Sequence, residues 1–294
     1  MNNKWQTPVE IKQSPIKLDY STPAFFIGSC FSDNISDKLF EHKFNVLNNP
    51  FGVLYNPYSI QTALRLIMNE IQFDDKDLVF NNNQWHSLLH HSTFSSADKN
   101  ELKKSINTSI KNSSDFLRKT KFLFITLGTA WVYTYKATNR QVANCHKIPE
   151  KEFRRFRLSV CDITDEYSSL IEALIKFNHD LQIIFTVSPI RHLKDGAVEN
   201  QLSKSTLNVV IHQLKEIFED KVDYFPSYEI VMDELRDYRF YASDMIHIAP
   251  QAIEHIFESF TKTFLSNHTQ QQMFRISKVV TAAKHKPFNK KDDL

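Results

Sequence analysis

Apolar runs alternate with amphipathic segments along this chain. The runs at 24–27, 121–127 and 181–187 are largely apolar, as expected of strands that are buried on both faces of a sheet. Apolar residues at helical spacing separate such runs along most of the chain, which favours helices between the strands. Alternation of strands and helices predicts a parallel sheet that is covered on both faces.

The same patterns place the remaining elements. Short strands are predicted at 44–47 and 222–225, and helices are predicted at 32–43, 57–71, 96–119, 164–179, 197–220, 229–235 and 250–260. We expect residues 72–98 to form an insertion packed over the sheet edge, with a small hairpin at 78–86. We expect loop and edge structure in 132–163, one α/β domain over 1–275, and a charged, disordered tail over 276–294.

In a parallel sheet the carboxyl ends of the strands meet at one edge, where ligands bind. The predicted strands therefore bring together the segments 28–32, 52–56, 128–131, 188–192 and 242–247. We expect the functional side chains of this protein among them.

A serine follows the first predicted strand. Gly28 allows a sharp turn, Ser29 stands at the turn, and Ser32 or Asp33 can cap the helix that follows. Free N–H groups at the start of a helix favour developing negative charge, which suits a nucleophile. The local pattern fits a serine that only caps the helix equally well. Cys30 is a competing nucleophile, although a residue just past such a turn more often faces inward.

A carboxylate and an imidazole lie three residues apart near the end of the chain. Asp244 and His247 precede the last predicted helix, and in a turn this spacing brings both side chains to one side. The carboxylate can fix the tautomer of the ring, which leaves the other ring nitrogen to act as a base. The spacing alone is common, and its position after the last strand makes it informative.

Composition excludes several classes of function. The 294 residues carry 36 basic and 34 acidic side chains, for a net charge of +2, which gives no field that would attract nucleic acid or an anionic membrane. The polar N-terminus lacks a signal peptide, no apolar run has membrane-spanning length, and three cysteines without metal-type spacing indicate reduced thiols. We expect a cytoplasmic protein without metal or other cofactor, and its oligomeric state stays open.

The motifs resemble those of a known family. Gly28-Ser29-Cys30-Phe31-Ser32 is similar to the signature of the GSCFA family, a branch of the SGNH (GDSL-like) hydrolases. Further blocks of the family are matched, in order, by Asn49-Pro50-Phe51-Gly52, Thr126-Leu127-Gly128-Thr129, Val187-Ser188-Pro189-Ile190-Arg191-His192 and Asp244-Met245-Ile246-His247. The resemblance covers about residues 24–260 and implies a flavodoxin-like three-layer α/β/α sandwich with a parallel central sheet.

The resemblance also implies roles for individual residues. Ser29 matches the nucleophile, His247 the general base and Asp244 the residue that orients the base. The backbone N–H groups of Ser29 and Gly52 match donors of the oxyanion hole. Together these residues would form a Ser-His-Asp triad for acyl transfer.

One departure concerns the third oxyanion donor. SGNH hydrolases carry Gly-x-Asn-Asp where this chain has Gly128-Thr129-Ala130-Trp131, and the side chain of alanine donates no hydrogen bond. Losing one such donor lowers the rate about a hundredfold or more. Thr129, Asn56 or a histidine of 86–91 can take its place. These histidines have no cysteine or carboxylate at ligand spacing, so they do not predict a metal site.

Four more residues are candidates for substrate binding. His91 suits an active-site lid or a structural loop. Arg191 can hold a substrate carboxylate or phosphate, or pair with a structural carboxylate; His192 lies beside it. Trp131, with Tyr133, can line a pocket for a sugar or an acyl group, or belong to an aromatic core.

The sequence predicts a serine esterase or O-acyltransferase that acts on a small acyl ester, for example an O-acetyl group on a carbohydrate. The alternative is a ligand-binding or scaffold protein on the same fold with weak or no catalysis, since the asparagine of the Gly-x-Asn-Asp motif is missing. A nucleotide-binding protein is disfavoured because no glycine loop could cradle a phosphate.

Overall fold

A computed structural model describes residues 7–191 and 193–284. Its strands are β1 (Ala24–Gly28), β2 (Val46–Asn48), β3 (Val79–Asn81), β4 (Gln84–His86), β5 (Phe122–Leu127), β6 (Trp131–Tyr135), β7 (Arg140–Val142), β8 (Phe153–Arg157), β9 (Gln182–Val187) and β10 (Val222–Tyr224). Its helices are α1 (Cys30–Glu41), α2 (Pro57–Met68), α3 (Lys99–Leu117), α4 (Val160–Phe177), α5 (Gly196–Ile217), α6 (Ser227–Glu229), α7 (Pro250–Phe264) and α8 (Asn267–Lys284).

Five strands form the central parallel sheet in the order β2-β1-β5-β9-β10. Strand β2 lies on one side of β1, and β5, β9 and β10 follow in order on the other side. This is the flavodoxin-like order, and its topological switch point lies between β1 and β5, where such folds bind ligands beyond the carboxyl ends. The predicted fold class is confirmed.

Alternate side chains of β1 serve two separate cores. Phe25 and Ile27 pack on the face that α2, α3, α4 and α5 cover, whereas Ala24 and Phe26 pack on the face that α1 and α7 cover. Successive side chains of a strand point to opposite faces, so one apolar run supplies both cores. The result is the expected three-layer arrangement.

The region between β5 and α4 differs from the expectation of loop and edge structure. Strands β7, β6 and β8 form a three-stranded antiparallel sheet there. In β6 the side chains of Val132 and Thr134 are buried and their neighbours are half-buried, a period-two pattern typical of a sheet with one covered face. The alternation spans few residues and the region carries many charges, so the sequence pattern did not indicate these strands.

Two other predictions have clear outcomes. The predicted hairpin is confirmed by the antiparallel pairing of β3 with β4. The predicted start of the disordered tail at 276 is wrong, because α8 continues to Lys284 through a stretch without glycine or proline. The rest of that tail lies outside the described residues. None of the helices in the described ranges is both long and apolar enough to cross a membrane.

Gly28 lets the end of β1 approach β5. Its φ is +139°, and a Cβ atom at this position would lie 2.2 Å from the carbonyl oxygen of Thr126. Both the backbone conformation and the space require glycine.

We therefore expect Gly28→Ala to lower the free energy of unfolding by at least about 2 kcal/mol, measured by urea denaturation. Gly196→Ala is the control: φ there is +82°, but a Cβ would meet nothing within 4 Å, so only the conformational cost of about 1 kcal/mol applies. Equal losses in the two variants would contradict the steric argument.

Candidate active site

Ser29 directly follows β1 and caps α1. Its hydroxyl oxygen accepts a hydrogen bond from the N–H of Phe31 at 3.4 Å, and the residue is 1 % exposed. The end of β5 packs directly beside it, since a Cβ on Gly128 would lie 3.4 Å from the Cβ of Ser29. Ser29 therefore lies at the switch point of the sheet, as its place in the sequence predicts.

Asp244 and His247 form the predicted pair within one turn. His247 Nδ1 lies 2.6 Å from Asp244 Oδ2, and Asp244 Oδ1 accepts the N–H groups of Ile246 and His247 at 2.9 Å each. These hydrogen bonds, that from His247 above all, lower the pKa of Asp244 to about 2. The carboxylate thus stays ionised and holds Nδ1, which leaves Nε2 as the basic nitrogen. The His247 side chain is 56 % exposed.

The turn that carries His247 lies at the same edge of the sheet as Ser29. Helix α7 runs parallel to α1, because Lys38 forms an ion pair with Glu254 and, about one turn further along both helices, His42 stacks on Phe257 with ring centroids 5.9 Å apart. Both helices therefore begin at the carboxyl edge. No hydrogen bond joins Ser29 to His247 among the described residues, so the hydroxyl and the imidazole share an edge without being engaged.

The two backbone N–H groups expected in the oxyanion hole are occupied. The N–H of Ser29 donates to the carbonyl of Thr126 at 3.1 Å, and the N–H of Gly52 donates to the carbonyl of Asn49 at 2.7 Å. An oxyanion would have to share these donors with the carbonyls or displace them. Their role in catalysis stays a prediction.

Of the suggested replacements for the missing asparagine, Asn56 is the better placed. The N–H of Thr129 donates to the carbonyl of Tyr55 at 2.9 Å. Asn56 caps α2 by accepting the N–H of Ser59 on Oδ1 at 2.8 Å, and its amide NH₂ group has no partner among the described residues. Asn56 lines a cavity of about 300 Å³ together with Thr129 and Trp131. It is therefore a free donor beside the strand ends.

Other predicted residues lie around this edge. His91 lies against Gly52, where a Cβ would meet the Cβ of His91 at 2.3 Å, so the expected lid histidine borders the expected oxyanion residue. Tyr133 lines the same cavity as Trp131. Burial raises the pKa of the Cys30 thiol, which disfavours the thiolate that a competing nucleophile needs. His192 lies outside the described residues.

Arg191 lacks the structural carboxylate that was one of its two predicted partners. Its Nε donates to Asn200 Oδ1 at 3.2 Å, and the side chain forms no ion pair with the part of the chain that the structure describes. The other predicted partner of Arg191, a carboxylate or phosphate of a ligand, stays a prediction.

Sequence reasoning missed Lys204. This lysine is 0 % exposed, and its Nζ donates to the carbonyls of Gly128 and Ser188 at 2.7 Å each, which ties the end of β5 to the end of β9. Burial lowers its pKa to about 7. A signal was present, since position 204 falls on the apolar stripe that Leu207 and Ile211 define in α5.

The fold and the site together define an α/β protein with a serine at the switch point and an Asp-His pair at the same edge. The chain belongs to the GSCFA family, whose profile matches residues 23–260. Comparison with curated proteins finds no match.

Several solved structures have a similar fold at low sequence identity. One is the acetyl xylan esterase Est2A from the rumen bacterium Butyrivibrio proteoclasticus, with 11 % identity, a TM-score of 0.41 and coverage of 85 % of this chain and 64 % of that one. Another is a carbohydrate esterase family 3 protein from Talaromyces cellulolyticus, with 8 % identity, a TM-score of 0.40 and coverage of 87 % and 99 %. This chain thus spans about two thirds of the length of Est2A.

The buried lysine makes stability depend on pH. Between pH 7 and 10.5, which are the folded and ordinary pKa values of Lys204, the unfolded chain holds a proton that the folded protein releases. The free energy of unfolding should therefore rise with pH in this window, by up to about 1.4 kcal/mol per pH unit from this group. Lys204→Met should remove that contribution in urea denaturation at several pH values.

Lys215→Met is the matched control on the same helix, because Lys215 is half-exposed and pairs with Asp223. The control should keep the wild-type slope. An identical slope in Lys204→Met and wild type would show that Lys204 does not lose its proton on folding.

Proposed function

We propose that this protein is a serine esterase or O-acyltransferase of the SGNH type that acts on a small acyl ester, for example an O-acetyl group on a carbohydrate. The observation that carries the proposal is the Asp244–His247 pair at the edge where Ser29 follows β1. A hydroxyl, a base and a carboxylate that orients the base are the parts that acyl transfer through a serine requires.

The reaction begins when Ser29 Oγ attacks the ester carbonyl carbon and His247 Nε2 takes the hydroxyl proton. The tetrahedral intermediate collapses, and the alcohol leaves with the proton that His247 returns to it. Water or an acceptor hydroxyl then attacks the acyl-serine, again with His247 as base, and frees Ser29. Asp244 stays ionised throughout and stabilises the imidazolium.

Ser29 and His247 must come into contact for this step. The bond from Phe31 N–H to Ser29 Oγ is long at 3.4 Å, so rotating the hydroxyl toward the base costs little. The ring of His247 is held at Nδ1 by Asp244, and its side chain is 56 % exposed, so Nε2 can turn toward the bound substrate. Catalytic hydrogen bonds commonly tighten only in the substrate complex.

We assign the amide of Asn56 as the side-chain donor to the oxyanion, in the place of the missing asparagine of the Gly-x-Asn-Asp motif. The N–H groups of Ser29 and Gly52 act beside it once the carbonyl oxygen of the substrate competes for them. The aromatic cavity of Trp131 and Tyr133 receives the alcohol or acyl part of the ester, and His91 borders Gly52 beside the proposed oxyanion hole.

Replacing the nucleophile should abolish both turnover and labelling. Ser29→Ala is expected to reduce hydrolysis of 4-nitrophenyl acetate to the uncatalysed rate and to prevent stoichiometric labelling by a fluorophosphonate, which reacts with activated serines. Cys30→Ala is the neighbouring control and should keep labelling.

A wild-type protein that binds an acylated sugar but never reacts with the fluorophosphonate would favour the ligand-binding alternative. The N–H groups of Ser29 and Gly52 support that alternative, because both already donate to backbone carbonyls. Labelling that persists in Ser29→Ala would remove Ser29 from the mechanism.

Asn56 allows the oxyanion assignment to be tested without loss of the helix cap. Asn56→Asp keeps an oxygen for the N–H of Ser59 but has no N–H to donate, so kcat should fall about a hundredfold with little change in KM. Asn69→Asp, at the other end of α2, is the control for added charge. A normal kcat in Asn56→Asp, with an unchanged melting temperature, would exclude this role.

A further inference from the structure

The guanidinium of Arg191 is part-buried and has no anionic partner among the described residues. Its one hydrogen bond in that part of the chain goes from Nε to a neutral amide, Asn200 Oδ1, at 3.2 Å. Arg155, another part-buried arginine, does have an anionic partner. It forms a two-pronged pair with Asp195, and its Cζ lies 4.3 Å from the ring centroid of Trp131. Leaving a half-buried guanidinium without an anion is unfavourable unless a ligand supplies one.

Arg191 lines an open groove of about 430 Å³. The groove also contains Tyr241 and Met245, and Met245 lies inside the turn between Asp244 and His247. A ligand in the groove therefore lies beside the proposed catalytic base. The aspartate of the groove, Asp237, is already paired with Arg239 at 3.3 Å.

A second cation lies near Arg191. Lys204 is fully buried and has no carboxylate partner within the described ranges, and the two positive charges act on each other, because Arg191 contributes to the lowered pKa of Lys204. Among the described residues, Nζ of Lys204 donates to the carbonyl oxygens of Gly128 and Ser188 and lies 6.0 Å from the ring centroid of Tyr228. Where Lys204 is protonated, below about pH 7, it adds a second positive charge to that of Arg191, and the low dielectric of the interior strengthens the resulting potential.

We propose that Arg191 binds a carboxylate or phosphate group carried by the ester substrate, so that the enzyme selects anionic esters. The inference rests on the proposed esterase or acyltransferase function and adds the charge class of its substrate. Nη1 and Nη2 of Arg191 hold the anion in a two-pronged contact, and Lys204 adds attraction without touching it. The ester bond of the same molecule then lies toward His247 and Ser29.

The test compares two aryl esters that differ in charge, 4-nitrophenyl hemisuccinate and 4-nitrophenyl butyrate. Wild type should favour the anionic ester in kcat/KM, and Arg191→Met should reduce the ratio of the two kcat/KM values at least about tenfold, mainly through the KM of the anionic ester. Arg191→Lys keeps the positive charge but cannot make a two-pronged contact, so its ratio of kcat/KM values should lie between those of wild type and Arg191→Met. A ratio that is unchanged in Arg191→Met overturns the proposal.

Arg236→Met is the matched control, since Arg236 lines the same groove but pairs with Asp233 at 3.0 Å. It should keep the wild-type ratio. An equal loss in this control would mean that the charge of the whole groove, rather than a site at Arg191, sets the preference, and would overturn the proposal.

Binding without turnover separates this inference from the proposed function. Calorimetry on Ser29→Ala should detect binding of succinate or inorganic phosphate, and Ser29→Ala/Arg191→Met should lose that binding. The anion with the lower Kd indicates whether the natural group is a carboxylate or a phosphate. If neither ester is hydrolysed but this binding holds, the esterase proposal fails and the anion site stands. If esters are hydrolysed without charge preference and neither anion binds, the anion site fails alone.

Discussion

The close backbone contact between the end of β1 and β5 sets the geometry of the whole site. Gly28 has no side chain to hold off the carbonyl of Thr126, and that same carbonyl accepts the N–H of Ser29. Ser29 is thereby fixed in an extended conformation at the first turn of α1. The same approach brings Gly128 against Ser29, so the switch point holds a hydroxyl close to two strand ends.

The charges at this edge are arranged unequally. Asp244 Oδ2 binds the imidazole of His247 and Oδ1 accepts two backbone N–H groups, so its charge is neutralised within its own turn. Arg191 and Lys204 have no carboxylate partner among the described residues, and an apolar side chain of similar volume would be buried at position 204 at lower cost. Burial disfavours the charged form of Lys204, and an anion bound at this edge would favour that form.

The sequence was informative where one physical pattern dominated a segment. The run Phe122–Leu127 predicted a central strand because nearly all of it is apolar, and the Asp244–His247 turn was predictable because both partners lie within four residues. The sheet of β6, β7 and β8 was missed, since alternation over so few residues is weak beside its many charges. The partners of Arg191 and Lys204 were beyond prediction, because they depend on which strand ends meet in space rather than on any local pattern.

The two readings of Ser29, helix cap and nucleophile, describe one arrangement. A capping residue must have an extended backbone and a side-chain oxygen turned toward the free N–H groups of the first turn, and Ser29 has both. Those N–H groups also favour an alkoxide or a tetrahedral oxyanion at the same place. The cap bond to Phe31 is long enough to exchange for a bond to the base. The cap therefore holds the hydroxyl in position, and under the proposed function the imidazole that the turn before α7 brings to the same edge activates it.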